Sequence, residues 1–515
     1  MFDFSDISSA YNILTANPSA WLMLLPGLII GLVFGALPGI SITMAMALFL
    51  PMTMYMDFLP AIIFLTAIYT GAGFGGSVPA ILMRIPGTSS AVATTFDGYP
   101  MAQQGRHNEA LGVALGASTT GAMLAYIMLF ILIAPIAKVV LKMGPLEMFA
   151  VAIWGMLLLG SLAGKYVTRG LLAGAFGLLM GTIGMNTAGY IRGTMGVPFL
   201  FDGVPVIPAM MGLLAASQLF NLVNSGFLVE EEENRKMNFR TIVRGVRQSW
   251  ESPLVILRGS AIGAFIGAIP GVGSSISNLL SYSETRRNDA DPDSFGKGNP
   301  KGVVGAESAN SSSEGGAMAT MLALGIPGGG ATAILLAAFA THNVVGGPQF
   351  IEQHTDMVYA IIILNLLQAA LLLVVGLGFV FVASSIVRVP LRYLIPSVLV
   401  VAAFGAYSVT NSMAGPMTLF VFSIFGWALA RYEYPVAAVV VGLLLGGLVE
   451  TQLLRSYQVS GGELSYITER PGAILIIAIM ILSMGITAWT KKKNARKKLD
   501  ALARQSNFDE QGALH

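Results

Sequence analysis

In this chain of 515 residues 55% are hydrophobic and only 11% charged, against about a quarter charged in ordinary soluble domains. Its 60 glycines are scattered through apolar runs, which transmembrane helices tolerate better than soluble ones. A net charge of +2 gives no nucleic-acid footprint, and the lack of cysteine excludes disulfides, thiol nucleophiles and thiolate metal sites.

In chain order, residues 1–20 hold Asp3 and Asp6 and no basic residue, unlike the start of a cleaved signal peptide. Residues 21–57 are apolar but interrupted. Gly27, Gly31 and Gly35, four residues apart, lead into Ala36-Leu37-Pro38-Gly39. Residues 59–97 follow, broken at Ile85-Pro86-Gly87. Apolar runs near the roughly 20 residues needed to cross a bilayer core lie at 109–134, 146–164, 170–189 and 205–228. The polar stretch 229–253 carries Glu230 to Glu233, then Arg235, Lys236, Arg240, Arg244 and Arg247. Residues 254–284 repeat the first motif, with Gly259, Gly263 and Gly267 leading into Ala268-Ile269-Pro270-Gly271. A charged loop at 284–301 separates them from 303–342, which repeats the second motif as Ile326-Pro327-Gly328. Spans at 356–387, 393–411, 413–430, 434–452 and 471–490 precede a basic tail at 491–515.

The two motifs recur in one order, so the chain is a duplication. Lys and Arg mark cytoplasmic loops. That rule places the tail, the 229–253 linker and the 284–301 loop inside, with Arg286, Arg287 and the tail lysines as orientation determinants. Residues 254–284 then enter and leave on one face, as a re-entrant hairpin with Pro270-Gly271 at its tip. The loop from His342 to Asp356 has no Lys or Arg and reads as external, so 303–342 crosses. By the same logic 21–57 is a hairpin entered from outside, and 59–97 crosses inward to the loop carrying Arg106.

The expected fold is an all-α polytopic membrane protein. It is an inverted-repeat secondary transporter with two re-entrant hairpins, two broken transmembrane helices and about 11 crossings. The first repeat covers 1–228 with scaffold helices in 109–228; the second covers 254–490 with scaffold helices in 356–490. Lys138 and Lys142 run against the scheme, which puts them outside.

A helix that stops in mid-membrane leaves backbone groups that only protein, water or a ligand can satisfy. Small polar residues surround each break. The candidate substrate-binding set is Pro38, Gly39, Ser41 and Thr43; Arg84, Pro86, Gly87, Thr88 and Ser89; Pro270, Gly271, Ser274, Ser275 and Asn278; and Pro327, Gly328, Gly329, Gly330 and Thr332. Helix starts offer free N–H groups and about half a positive charge, which suits a carboxylate. Glycine at such spacing also serves close helix packing, the competing use. Arg84 either pairs bidentately with a substrate carboxylate or turns to the interface and Asp97.

Asn310, Ser311, Ser312, Ser313 and Glu314 supply the hard oxygens a small cation prefers. Glu307 reads as an interfacial, solvated carboxylate. The matching first-half stretch, Tyr69 to Gly76, has no acid, so cation chemistry is asymmetric between the halves. Gly160 to Tyr166 resembles a phosphate-binding loop only superficially, and no catalytic constellation is present, so no enzyme is expected.

The paired Gly-Ala-Leu-Pro-Gly and Gly-Ala-Ile-Pro-Gly-Val-Gly motifs, with Arg84-Ile85-Pro86-Gly87-Thr88, Gly325 to Gly329 and Gly305-Ala306-Glu307-Ser308-Ala309-Asn310, resemble the large membrane subunit of tripartite tricarboxylate transporters (TctA-type). The similarity runs over roughly 20–490. It implies cation-coupled uptake of a tricarboxylate such as citrate, or of another organic carboxylate, across the bacterial inner membrane, driven by Na+ or protons with no other cofactor. It implies two partners, a small four-helix membrane subunit and a periplasmic binding protein, and allows a homo-oligomer. The C-terminus is then cytoplasmic and the N-terminus periplasmic. The arrangement also resembles divalent-anion/sodium symporters and binding-protein-dependent TRAP systems, which implies an elevator motion. The alternative is a passive anion channel lined by carbonyls and helix ends.

Overall fold

A computed structural model describes residues 4–37, 40–162, 167–185, 190–222, 237–270, 273–386, 391–463 and 465–485. The linker residues 229–236 and the tail 491–515 lie outside them. The first part of the chain forms α1 (Phe4–Ala16), α2 (Pro18–Ala36), α3 (Ile42–Thr53), α4 (Phe58–Gly75), α5 (Ser77–Met83), α6 (Thr94–Gln103) and α7 (His107–Val140). Next come α8 (Pro145–Leu162), α9 (Val167–Gly181) and α10 (Val206–Met210), which runs through a π-helical stretch at Met211–Ala216 into α11 (Ser217–Leu222). After α12 (Phe239–Ser249), the second motif region forms α13 (Pro253–Gly267), α14 (Gly273–Arg287), α15 (Pro300–Leu324), α16 (Gly330–Thr341), α17 (Pro348–Gln353) and α18 (Thr355–Ile386). The chain continues through α19 (Leu391–Thr410), α20 (Ala414–Arg431), α21 (Val436–Ser460), α22 (Ser465–Glu469) and α23 (Pro471–Gly485).

The protein is a predominantly helical, multi-pass membrane protein. Among the described residues six helices are long and apolar enough to cross a bilayer, and α5 continues α4 to make one of them. The span expected at 170–189 stops at Gly181. Beyond it Gly184–Met185 pairs antiparallel with Ile191–Arg192 in a short ribbon.

The glycine stripes are packing surfaces. A methyl on Gly27, Gly31 or Gly35 would come within 2.5 Å of Ala67 Cβ, 2.3 Å of Ile68 O or 2.5 Å of Ala72 O, so α2 lies backbone-to-backbone on α4. In the second copy Gly259, Gly263 and Gly267 bring α13 equally close to Ser308, Ala309 and Ser313 of α15. The second motif closes each unit alike, with Gly87 against Gly35 O and Gly328 against Gly267 O. Gly31→Ala is expected to cost about 1–3 kcal/mol through the forced separation of α2 and α4. Gly73→Ala, with nothing within 4 Å of the new methyl, should be neutral. Thermal unfolding in detergent distinguishes the two.

Packing divides the helices into two groups. The motif helices α2, α4, α13 and α15 take in α7 and α18, whereas α8 and α9 pack with α21, and α10, the π stretch and α11 with α19 and α20. Helices α7 and α18, which open the ranges 109–228 and 356–490 expected to hold the scaffold helices, thus pack on the motif side. The reason is steric. Gly112 and Gly116 admit α12, and Gly121 admits α15 at Ser308, so α7 is drawn to the motif side.

The basic loops gather at one end. Gln104 Nε2 donates to Lys297 O at 2.8 Å, Arg106 Nη1 to Gly298 O at 3.3 Å, and the backbone N–H of Asn238 to Asn108 Oδ1 at 3.1 Å. In the same loop Lys301 Nζ, 2.7 Å away, holds the Asp289 carboxyl below the usual carboxylate range. At the other end Phe58 packs edge-on against Phe339 and Phe350. Lys138 lies in the last turn of α7, opposite the end where Arg106 begins it, so these lysines stay apart from the other basic loops.

Candidate functional site

Each half interrupts its second motif the same way. Helix α15 ends at Gly325 in the left-handed conformation, φ 68°, and Pro327 cannot resume it. Helix α5 ends at Arg84, also left-handed at φ 60°, two residues before Pro86. Glycine adopts that backbone freely, whereas arginine adopts it at a cost.

The breaks of the two halves meet reciprocally. A methyl on Gly330, after the second Ile-Pro-Gly, would lie 2.8 Å from Thr43 Oγ1, in the first turn of α3. Conversely Asn278 of α14 donates through Nδ2 to Ser90 O at 2.5 Å and accepts the N–H of Ala93 at 3.3 Å, just past the first Ile-Pro-Gly. Helix α8 contributes Gly155, against Ile326 and Pro270. The structure thus brings together the surroundings of all four breaks. Pro38, Gly39 and Gly271, and the side chain of Ser275, lie outside the described residues.

The remaining candidates separate by exposure. Arg84 and Ser89 are exposed; Ser41, Thr43, Pro86, Pro270, Ser274, Gly329 and Gly330 are half-buried. Gly87, Thr88, Asn278, Pro327, Gly328 and Thr332 are buried. Several of these have structural bonds. Thr332 Oγ1 receives the Gly329 N–H at 3.0 Å and caps α16, while Ser41 Oγ receives the Met44 N–H at 3.1 Å and caps α3. Thr88 shares a 2.9 Å hydrogen bond with Ser90. The Arg84 guanidinium stands 5.9 Å from the Tyr99 ring centroid. Asp97, the alternative partner expected for it, is engaged elsewhere: Oδ1 accepts the N–H groups of Gly296, Gly298 and Asn299, and Oδ2 the Tyr282 hydroxyl.

Helix α15 carries two buried carboxyl groups. Glu307 is 0% exposed, which overturns the reading of it as solvated. Three first-half hydroxyls donate to it: Ser77 at 2.6 Å and Thr94 to Oε1, and Ser118 at 2.8 Å to Oε2. Glu314, 3% exposed, accepts from Thr70 at 2.6 Å and Tyr126 at 2.5 Å, both on Oε1. The donor chain has a fixed direction. Thr66 O can only accept, so Gln368 Nε2 faces it at 3.0 Å and also donates to Thr70 Oγ1 at 2.5 Å, leaving the Thr70 proton for Glu314.

The other members of the expected cation set behave differently. Asn310 Nδ2 donates to Gly73 O at 3.2 Å, and Ser312 and Ser313 return their hydroxyls to carbonyls of their own helix. Ser311 is buried nearby. Among the described residues no three His, Asp or Glu side chains come together.

Sequence reading missed Thr70, Ser77, Thr94, Ser118, Tyr126 and Gln368. The available signal was weak: isolated hydroxyl and amide residues inside apolar helices, which in a membrane seek partners across helices.

The Tripartite tricarboxylate transporter TctA family pattern matches residues 21–441. An uncharacterized 52.8 kDa protein in the TAR-I ttuC' 3' region of Agrobacterium vitis is 31% identical over 481 residues, 92% of this chain and 94% of that protein. An uncharacterized protein in the TAR-II ttuC' 3' region of the same organism is 29% identical over 224 residues, 44% of this chain and 90% of that protein. No solved structure matches the chain.

Proposed function

Because the chain belongs to the tripartite tricarboxylate transporter TctA family, we propose that it is the large membrane subunit of a binding-protein-dependent importer, taking up an organic carboxylate coupled to Na+ or protons. The single observation that carries the substrate class is Arg84. It keeps a cationic side chain, exposed at a helix break, in a backbone conformation that the other half fills with glycine. Strain of this kind is retained where function needs the side chain. The carboxylate is held between Arg84 and the small polar residues around the breaks, Ser41, Thr43, Ser89, Ser274, Gly329 and Gly330.

Glu314 is the candidate for cation coupling, with Asn310 to Ser313 beside it. Among the described residues no basic side chain pairs with it, and a buried carboxyl of that kind in a membrane calls for a proton or a bound cation. Glu307, hydrogen bonded on both oxygens, is the structural counterpart. The basic loops are cytoplasmic, in the bacterial inner membrane, and the two halves form an inverted repeat. Movement follows an elevator pattern, with the motif group of helices sliding past α8–α11 and α19–α21. A small membrane subunit and a periplasmic binding protein complete the assembly.

Reconstitution tests the reading. In proteoliposomes holding both membrane subunits, labelled citrate or other carboxylates are expected to accumulate only with the cognate binding protein and an inward Na+ or proton gradient. Uptake that needs neither, or current without accumulation, overturns it.

A further inference from the structure

Asp97 is fully buried, and among the described residues no cation pairs with it. Its charge is met by backbone. The N–H groups of Gly296, Gly298 and Asn299 converge on Oδ1 at 2.8, 2.9 and 2.8 Å, and the Tyr282 hydroxyl reaches Oδ2 at 2.9 Å. Successive N–H groups turned to one point form a concavity for an anion. Here the anion is a side chain from the other half of the molecule.

The loop so held starts α15, since Asn299 caps that helix by accepting the Lys301 N–H at 2.9 Å. One turn before Asp97 on α6, Thr94 donates to Glu307 of α15. Ser90 and Ala93 hold Asn278 of α14. Segment 88–97 therefore grips the second half at three levels: its hairpin helix, its loop and its broken helix.

We propose that Asp97 is a tethered anion that locks the second half's hairpin and broken helix to the first half and thereby positions the breaks and Glu307. It is a positioning residue, not a substrate ligand. Without it the 295–299 loop loses its anchor, α14 and α15 shift against α6, and the geometry around Asn278 and Arg84 loosens. The functional part of this inference rests on the transport reading; the lock itself does not.

Two measurements on the full-length protein test it. Backbone hydrogen exchange at Gly296, Gly298 and Asn299 is expected to be slow in the wild type, fast in Asp97→Ala, and slow again when formate fills the vacated cradle. In the reconstituted three-component system, Asp97→Ala should raise the KM for carboxylate uptake roughly tenfold, the scale of lost hydrogen bonds to a charged group. Formate should lower it again in the variant and leave the wild type unchanged, an outcome that general misfolding does not give. Unchanged exchange in Asp97→Ala overturns the lock, and wild-type KM overturns its positioning role. If Asp97→Ala does not insert, Asp97→Asn carries the test, since it keeps one acceptor but no charge; faster exchange supports the lock and wild-type exchange overturns it. A wild-type complex that moves no carboxylate defeats the transport reading alone, and the exchange measurement still decides the lock.

Discussion

Replacing Arg84 by glycine is expected to leave the protein as stable as before, or slightly more so, while its affinity for carboxylate collapses. The residue ends α5 at φ 60° and ψ 16°, and its counterpart Gly325 ends α15 at φ 68° and ψ 22°. An L-residue held there costs on the order of 1 kcal/mol, which glycine recovers, less the entropy it loses on folding. The lost guanidinium removes a charge-assisted pair of about 1.5–3 kcal/mol, so KM should rise roughly 10- to 100-fold. Arg84→Lys keeps the charge without the planar fork and should fall between. Opposite movement of Tm and affinity separates a ligand from a structural residue. An unchanged KM in Arg84→Gly would remove it from the site and leave its packing on Tyr99 as its only role.

Glu314→Gln is expected to abolish accumulation while downhill movement or exchange of substrate continues. The amide keeps an oxygen for Thr70 and Tyr126, so the packing around α15 survives. What it loses is the ability to gain and release a proton or to balance a cation. The control is Glu307→Gln. There hydroxyls donate to both oxygens, so an amide nitrogen forces one of them to turn from donor to acceptor, and a cost of about 1–3 kcal/mol in stability is expected. The accumulation ratio of labelled substrate under an imposed gradient, with Tm measured beside it, checks both. Gradient-driven accumulation by Glu314→Gln at the wild-type level would exclude Glu314 as the coupling group.

The helical membrane framework is legible in the sequence, because about 20 apolar residues and a Pro-Gly break are strong local signals. The paired Pro-Gly motifs were legible as helix breaks, and α2/α3 and α13/α14 fall on either side of them. The glycine stripes were legible as a pattern but ambiguous in use. Only the approach of Gly31 to Ile68 and of Gly263 to Ala309 shows that they serve packing. Which side α7 and α18 join was not legible, since that depends on contacts between residues far apart in sequence. Nor were the partners of Glu307 and Glu314, because a lone Ser118 or Thr70 in an apolar helix does not say which helix it will face. Asp97 was noticed only as a neighbour for Arg84, for its real partners are main-chain amides about 200 positions away, which side-chain patterns do not reveal.

Helices joined through interdigitated side chains can slip past one another by exchanging rotamers, a small step at a time. The seams between α2 and α4 and between α13 and α15 have little to exchange, for bare glycine rests on the backbone, the Ala67 methyl or the serine hydroxyls of the neighbouring helix. Each hairpin arm is therefore welded to its own interrupted helix, and neither can swing open by itself. Any displacement would be borne by surfaces that carry side chains, such as the flank where Tyr55, just past α3, meets Ser408 of α19.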